Sequence, residues 1–242
     1  MTPSKQQNRP KVVIQTNFGD IGLELYAHQA PITVSNFLMY VNSGFYDGLL
    51  FHRIIENFMI QAGGYFLSAG TLYQPQPADP IVNESYNGLS NLRGTIAMAR
   101  AADPNSATSQ FYINHVDNVE LDRSEAADGF GYCVFGHILS GMDVVDLIAQ
   151  TPTVDIGYGF ANFPYPVLVY IEKASVAPPG YWLSGDLTND GIVNFGDFAI
   201  FASSFSTTAG DLTADLDGDS QVSTKDMVLL AGNWLATADW YQ

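Results

Sequence analysis

Pro178-Pro179-Gly180 divides this chain into two stretches that cannot share one kind of core. Before it, short apolar runs of strand length alternate with loops rich in Gly, Asn and Pro. After it, from Gly185 to Gln242, there are nine Asp and one Lys, so this short segment carries half of the formal net charge of −16. The acidic segment also repeats itself. Asp186-Leu-Thr-Asn-Asp-Gly-Ile-Val-Asn-Phe-Gly-Asp197 aligns, 29 residues on, with Asp215-Leu-Asp-Gly-Asp-Ser-Gln-Val-Ser-Thr-Lys-Asp226. Each copy runs into an apolar helical segment, Phe198–Phe205 or Met227–Leu235. The expected division is a disordered tail over 1–10, a large domain over 11–177, a linker over 178–184 and a small domain over 185–240.

The large domain reads as mainly β. Lys11–Gln15 and Asp20–Leu25 form two strands about a turn at Asn17-Phe18-Gly19. Pro31 opens a helix that ends near Asn42 before Ser43-Gly44, with Thr33 and Ser35 as candidate caps. Leu49–Ile54, Phe58–Ala62, Gly94–Ala99, Gln110–Asn114 and Cys133–Ile138 are strand-like. A second helix, Met142–Ala149, follows Ser140-Gly141, and Val167–Val176 is the last strand. Many short strands with two helices predict a closed antiparallel β-barrel capped by those helices.

The strong negative charge argues against a nucleic-acid or anionic-membrane surface. No apolar run approaches the roughly 18 residues of a membrane span. Cys133 is the only cysteine, which excludes an intramolecular disulfide and a thiolate metal cluster; its apolar surroundings predict a buried, inert thiol. Met1–Pro10 is polar and basic and lacks the apolar core of a signal peptide.

The chemistry-bearing residues of the large domain come as an ordered set. It begins with Phe51-His52-Arg53-Ile54-Ile55 and Phe58-Met59-Ile60-Gln61-Ala62-Gly63-Gly64. It continues through Gly94–Arg100, Ser106–Ile113, Leu121-Asp122 and Gly131–Gly136. This set resembles the signature of the cyclophilin-type peptidyl-prolyl isomerases, and its Met-Ala-Arg and Ser-Ala-Thr-Ser-Gln runs resemble the bacterial branch. The resemblance implies a cyclophilin-like barrel that accelerates X–Pro rotation in protein substrates, without a catalytic cofactor.

Rotation about a peptide bond must overcome a barrier of about 18–20 kcal/mol. In the twisted transition state the proline nitrogen regains a lone pair, so a fixed guanidinium donating to it favours that state over either planar one. The resemblance gives this catalytic role to Arg53; the plainer alternative is a surface arginine paired with Glu56. It places the proline in a pocket of Phe58, Met59, Tyr112 and Leu121, with Ala99 and Ala101 beside it, and Phe111 in the core. Gln61, Gln110 and the backbone at Arg100 would hold the peptide, with His52 and Tyr132 at the same site. Without the resemblance, these aromatics read as ordinary core.

Three departures bear on the rim. Tyr112 stands where the family has phenylalanine, and its hydroxyl needs a partner. Glu120 replaces an aromatic before Leu121-Asp122. Tyr132 stands where many members have His. Rotation moves no proton, so His52 is expected to be structural rather than a base. His28, His115 and His137 lack metal-ligand spacing.

In the tail, oxygen ligands at loop positions 1, 3, 5, 9 and 12, with a carbonyl at 7, match an EF-hand-like calcium loop. They are Asp186, Thr188, Asp190, Ile192 (carbonyl), Asn194 and Asp197 in one copy. In the other they are Asp215, Asp217, Asp219, Gln221 (carbonyl), Ser223 and Asp226. Gly191 occupies the sharp turn of the first loop, Ser220 that of the second. Two loop–helix halves in tandem resemble a dockerin type I domain. That resemblance implies two structural calcium ions, a cohesin-like docking partner, and residence outside the cytoplasm (extracellular, periplasmic or at the cell surface). The pairs Phe195-Gly196 and Thr224-Lys225 differ from the duplicated Ser-Thr pairs of many dockerins. A competing reading of the whole chain is a non-catalytic binder of proline-containing peptides, tethered into a complex by its tail.

Overall fold

The computed structural model describes residues 9–157, 159–177, 185–188, 192–206, 214–216 and 221–235. The first eight residues, the linker 178–184, the expected ligands Asp190, Asp217 and Asp219, the turn residues Gly191 and Ser220, and the end of the small domain past 235 lie outside them. Residues 9–176 form one compact unit, and the tail belongs to a second.

The first unit contains β1 (Lys11–Thr16), β2 (Gly19–Leu25), α1 (Pro31–Asn42), β3 (Arg53–Ile55), β4 (Met59–Ala62), β5 (Phe66–Ser68), β6 (Thr71–Tyr73), β7 (Thr95–Met98), β8 (Phe111–Asn114), β9 (Val134–Ser140), α2 (Met142–Ala149), β10 (Thr153–Val154), β11 (Phe163–Pro164) and β12 (Ile171–Val176). Eight strands make one antiparallel sheet in the order β12-β1-β2-β9-β7-β8-β4-β3. Its outer strands are β12 and β3. They are bridged through Leu50 and Tyr170, with Phe51 N–H donating to the Val169 carbonyl and Ile171 N–H to that of Leu49. The domain is therefore mainly β with few helices, built on one eight-stranded antiparallel sheet whose outer strands are linked by this bridge.

Alternation along the strands sorts the residues into two faces. One face, with Ile14, Ile21, Leu23, Ile54, Ile60, Ile96, Phe111, Ile113 and Phe135, packs against α1 through Val34, Phe37 and Val41 and against α2 through Val145 and Ile148. Phe37, Tyr46 and Phe111 meet at centroid distances of 5.3–5.5 Å, two of the three contacts edge-on. The opposite face of β4, β7, β8 and β9 carries a second cluster around Met59, Ala97, Tyr112 and Val134.

Several elements differ from the sequence expectation. Residues 49–52 and 167–170 lie outside the named strands: Leu49, Phe51 and Val169 bond across the bridge, while the Leu50 N–H donates to the Tyr65 carbonyl and the Leu168 and Tyr170 backbone groups bond to Asn17. The hairpin β5–β6 turns on Ala69-Gly70, both at positive φ (48° and 78°). Neither Thr33 nor Ser35 caps α1. The residue before Pro31 is Ala30, which offers no side-chain cap. The carboxylate of Glu84, 2% exposed, does the work instead: it accepts from Ile32 N–H (3.2 Å), Thr33 N–H (2.8 Å) and the Thr33 hydroxyl (2.8 Å). A buried anion at a helix N-terminus meets both unpaired amides and the positive end of the helix dipole.

In the tail, α3 (Phe195–Ser204) and α4 (Thr224–Gly232) each begin three residues before the expected start. The reason is local: Asn194 and Ser223 are the N-caps, and Asp197 and Asp226, both fully buried, close a capping box back onto them. The repeat is visible in the packing. Leu187 with Leu216, Val193 with Val222, and Phe201 with Leu230 occupy matching places in one small core.

Candidate active site

The hairpin of β3 and β4 sets the site. Its register pairs Arg53 with Gln61 and Ile55 with Met59, and β8 continues the row by pairing Gln61 with Tyr112. Ala97 on β7 follows Tyr112, and Val134 on β9 follows Ala97. One row across five strands thus carries a cation, an amide, a phenol and two small apolar residues. Phe58, Ala99, Leu121 and Tyr132 pack against the cluster that this row anchors.

The Arg53 guanidinium is half-buried. Its Nη1 donates to Gln61 Oε1 at 3.4 Å and lies 3.9 Å from Met59 Sδ, and its carbon sits 6.0 Å from the centre of the Phe58 ring. Burial lowers its pKa from the usual arginine value. These protein contacts are long, so they take up little of its donor capacity. Gln61 Nε2 in turn donates to Gln110 Oε1 at 2.8 Å. Gly64 leaves room for this pair: a Cβ there would meet the Gln110 side chain at 2.7 Å.

Tyr112 is 4% exposed, and its hydroxyl points away from solvent to donate to Asn91 Oδ1 at 2.7 Å. Asn91, fully buried, donates through both its amide N–H (2.7 Å) and its Nδ2 (2.8 Å) to Asp122 Oδ1. Asn114 Nδ2 also reaches Asn91 Oδ1, at 3.3 Å, and Asn118 Nδ2 donates to Asn114 Oδ1 (2.7 Å) and to the Phe58 carbonyl (2.8 Å). Burial pushes the Tyr112 phenol well above its ordinary pKa. The neutral hydroxyl is therefore one member of a satisfied polar network that ties the floor of the cluster to Leu121 and Phe58. Sequence reasoning missed Asn91, Asn114 and Asn118; the only signal was the recurrence of asparagine among apolar strands.

Tyr132 meets Tyr112 edge-on at 5.9 Å and has the Arg100 guanidinium over its ring at 4.5 Å. The Arg100 side chain donates to the Gly131 carbonyl (3.0 Å) and the Ala101 carbonyl (3.1 Å) and forms an ion pair with Asp128. Amides of Phe130 and Gly131, together with Arg100, lower the Asp128 pKa to about 2. Arg100 is thus a brace for Tyr132, and Ala101 is exposed beside it. Glu120 is exposed on the short turn Val119–Leu121.

His52 stands apart from the row. It is 4% exposed, packed edge-on against Tyr65 at 4.8 Å, and its Nδ1 has no hydrogen-bond partner among the described residues. Burial lowers its pKa to about 4, against the opposing pull of the Leu50 carbonyl and Gln110. The Cys133 thiol, also buried, is pushed up to about 11, chiefly by desolvation.

The chain is similar to known proteins of one family. The family described as cyclophilin type peptidyl-prolyl cis-trans isomerase/CLD matches residues 11–176. A peptidyl-prolyl cis-trans isomerase of Acinetobacter baylyi is 51% identical over 146 residues, 60% of this chain and 75% of that one. Peptidyl-prolyl cis-trans isomerase B of Escherichia coli is 50% identical over 59% of this chain and 85% of its own. A Streptomyces antibioticus isomerase is 50% identical over 68% and 97%. Among solved structures, a cyclophilin type isomerase of Cryptosporidium parvum, in the presence of the dipeptide Ala-Pro, superposes with a TM-score of 0.54 at 27% identity, covering 69% of this chain and 99% of that one. From its signature row, its matched family and these relatives, the chain belongs to the cyclophilin-type peptidyl-prolyl cis-trans isomerases.

Proposed function

We propose that this isomerase binds proline-containing segments of proteins on the Phe58–Met59–Tyr112–Leu121 surface and twists the X–Pro bond with Arg53 as the catalytic residue. The observation that carries this reading is the row Arg53–Gln61–Tyr112, which sets one half-buried guanidinium beside an apolar surface. Gln61 limits where the guanidinium can swing, so donation to the proline nitrogen needs little reorganisation as the lone pair appears. Gln110 and the backbone near Ala101 hold the flanking peptide. The buried phenol network keeps the pocket floor rigid while the substrate rotates. Cis/trans exchange of an Ala-Pro peptide, followed by NMR, tests the reading. The expected result is accelerated exchange; binding without acceleration would establish the tethered, non-catalytic binder instead.

The tail is proposed to be a calcium-stabilised docking module with a cohesin-like partner, working outside the cytoplasm. The described candidate ligands of the first loop support a fit to a hard cation. Asp197 Oδ1 accepts from the Leu187 and Thr188 amides and the Thr188 hydroxyl (2.7–3.0 Å), the Thr188 hydroxyl lies 3.5 Å from Asp186 Oδ1, and Asn194 Nδ2 lies 3.2 Å from the Ile192 carbonyl. These bonds tie the start of the loop to its end at Asp197, which supports the reading; among the described residues no group of three or more acidic side chains is set to hold a metal ion. Calcium titration of the full chain should show two sites and a gain of helicity, both reduced by Asp197→Ala and Asp226→Ala. Unchanged circular dichroism on adding calcium would reject this module.

A further inference from the structure

His115 is a buried, titratable side chain outside the row that performs the chemistry, yet it grips the hairpin that carries that row. β3 and β4 are joined by the three residues Glu56–Phe58, with Ile55 facing Met59 on either side. At the tip, Asn57 has φ 58°, a left-handed conformation that only a short polar side chain adopts with ease. Two backbone groups of this tip are held by residue 115. The Asn57 N–H donates to His115 Nδ1 at 3.0 Å, and the Phe58 carbonyl accepts from the His115 N–H at 2.9 Å.

The ring is oriented from behind. A backbone N–H can only donate, so Nδ1 is the acceptor and the proton of the neutral imidazole sits on Nε2. Nε2 lies 3.2 Å from Asp146 Oδ1 on α2, within ion-pair reach though not aligned as a hydrogen bond. Arg93 fixes that carboxylate with a 2.8 Å bond to Asp146 Oδ2, and its other guanidinium nitrogen donates to the His115 carbonyl. The Arg93 amide is itself held by Asp117 Oδ1 at 2.8 Å. A chain of contacts thus runs from α2 through His115 to the hairpin tip, four residues from Arg53.

We propose that His115 is a positioning residue for isomerisation: it sets the Asn57–Phe58 tip, and through it the placement of Phe58 and Arg53 around the proline. The proposal rests on the assignment of Arg53 and Phe58 to the reacting site. Holding a group in its productive geometry is where small displacements cost rate rather than stability.

The acceptor can be separated from the rest of the ring. In His115→Asn the side-chain oxygen falls near the place of Nδ1, whereas His115→Gln places its polar atoms near Nε2 and His115→Leu supplies neither. In the full chain, His115→Leu and His115→Gln should lose about tenfold in kcat/KM, the scale of one hydrogen bond expressed as positioning, mostly in kcat. His115→Asn should recover most of that loss. Amide hydrogen exchange at Asn57 should quicken in the Leu and Gln variants and stay slow in the Asn variant. A Gln variant as fast as wild type, or an Asn variant as slow as the Leu variant, overturns the proposal. If the wild-type chain itself fails to accelerate exchange, the isomerase mechanism falls; unchanged protection of Asn57 in the Leu variant overturns the clamp independently.

Discussion

Replacing the Tyr112 hydroxyl probes whether the polar network beneath the pocket behaves as one unit. Tyr112→Phe removes a single 2.7 Å bond, and Asn91 Oδ1 keeps the Asn114 donor at 3.3 Å, so no buried donor is orphaned. The expected cost is about 1 kcal/mol, the net worth of one intramolecular hydrogen bond. Asn91→Ala is different in kind. It strands the Tyr112 hydroxyl in a position 4% exposed, takes one acceptor from Asn114 Nδ2 and removes one of two donors to Asp122 Oδ1. Stranded buried groups cost about 1–3 kcal/mol each, so a loss of about 3 kcal/mol is expected. Once Asn91 is gone, Tyr112→Phe removes an unsatisfied hydroxyl and should cost nothing or help. The coupling energy of the double-mutant cycle should therefore be at least about 1 kcal/mol. Denaturant unfolding followed by near-UV tyrosine circular dichroism measures all four corners. Additive single effects would refute the idea that the phenol is held as part of a network.

Three further outcomes are expected. Arg53→Ala should lower kcat by about 10²–10³, the effect of removing one preorganised donor, with peptide affinity largely kept; a variant as fast as wild type in Ala-Pro exchange would refute the assignment. Its contacts of 3.4 and 3.9 Å are too long for the same change to cost more than about 1 kcal/mol in stability. His52 has a folded pKa of about 4 against 6.5 for the free side chain, so the unfolded chain binds the extra proton first. Stability should fall as pH drops from 6.5 towards 4, by up to about 3 kcal/mol, and His52→Phe should flatten that slope in pH-dependent denaturation. Glu84→Ala should cost about 3 kcal/mol, since it leaves the first amides of α1 without an acceptor, and Glu84→Gln should cost less; equal stability of Glu84→Ala and wild type would refute the capping role.

Much of the fold was legible wherever the signal is local. Pro31 and Ser43-Gly44 bracket α1, and Gly141 and Pro152 bracket α2, so both helices emerge with the expected bounds. Phe111 and Tyr112 part to opposite faces because a strand offers nothing else. The hairpin at Ala69-Gly70 was also local, a two-residue turn with Gly between two short runs, but Phe66–Ser68 is too short to show alternation. What stayed hidden depends on distant partners. Glu84 reaches Thr33 across 51 residues and Asn17 meets Leu168 across 151, and neither contact has a sequence signature. The site shows the same split. Arg53, Phe58, Met59 and Gln61 lie within one hairpin, whereas the Asn91–Asp122 and His115–Asp146 supports join separate loops and helices.

The borrowed cap on α1 has a consequence in time as well as in energy. A helix of 12 residues with proline at its start and no side-chain cap of its own is too short to persist alone in water. Its anchoring carboxylate is synthesised 51 residues later, so during translation the first turn of α1 must wait until Glu84 has emerged. Closure of that long loop then completes the helix and draws the segment before β7 against it in one step. Mutations at Glu84 should accordingly accelerate unfolding more than they slow refolding, which marks the N-terminus of α1 as a late-forming part of the chain.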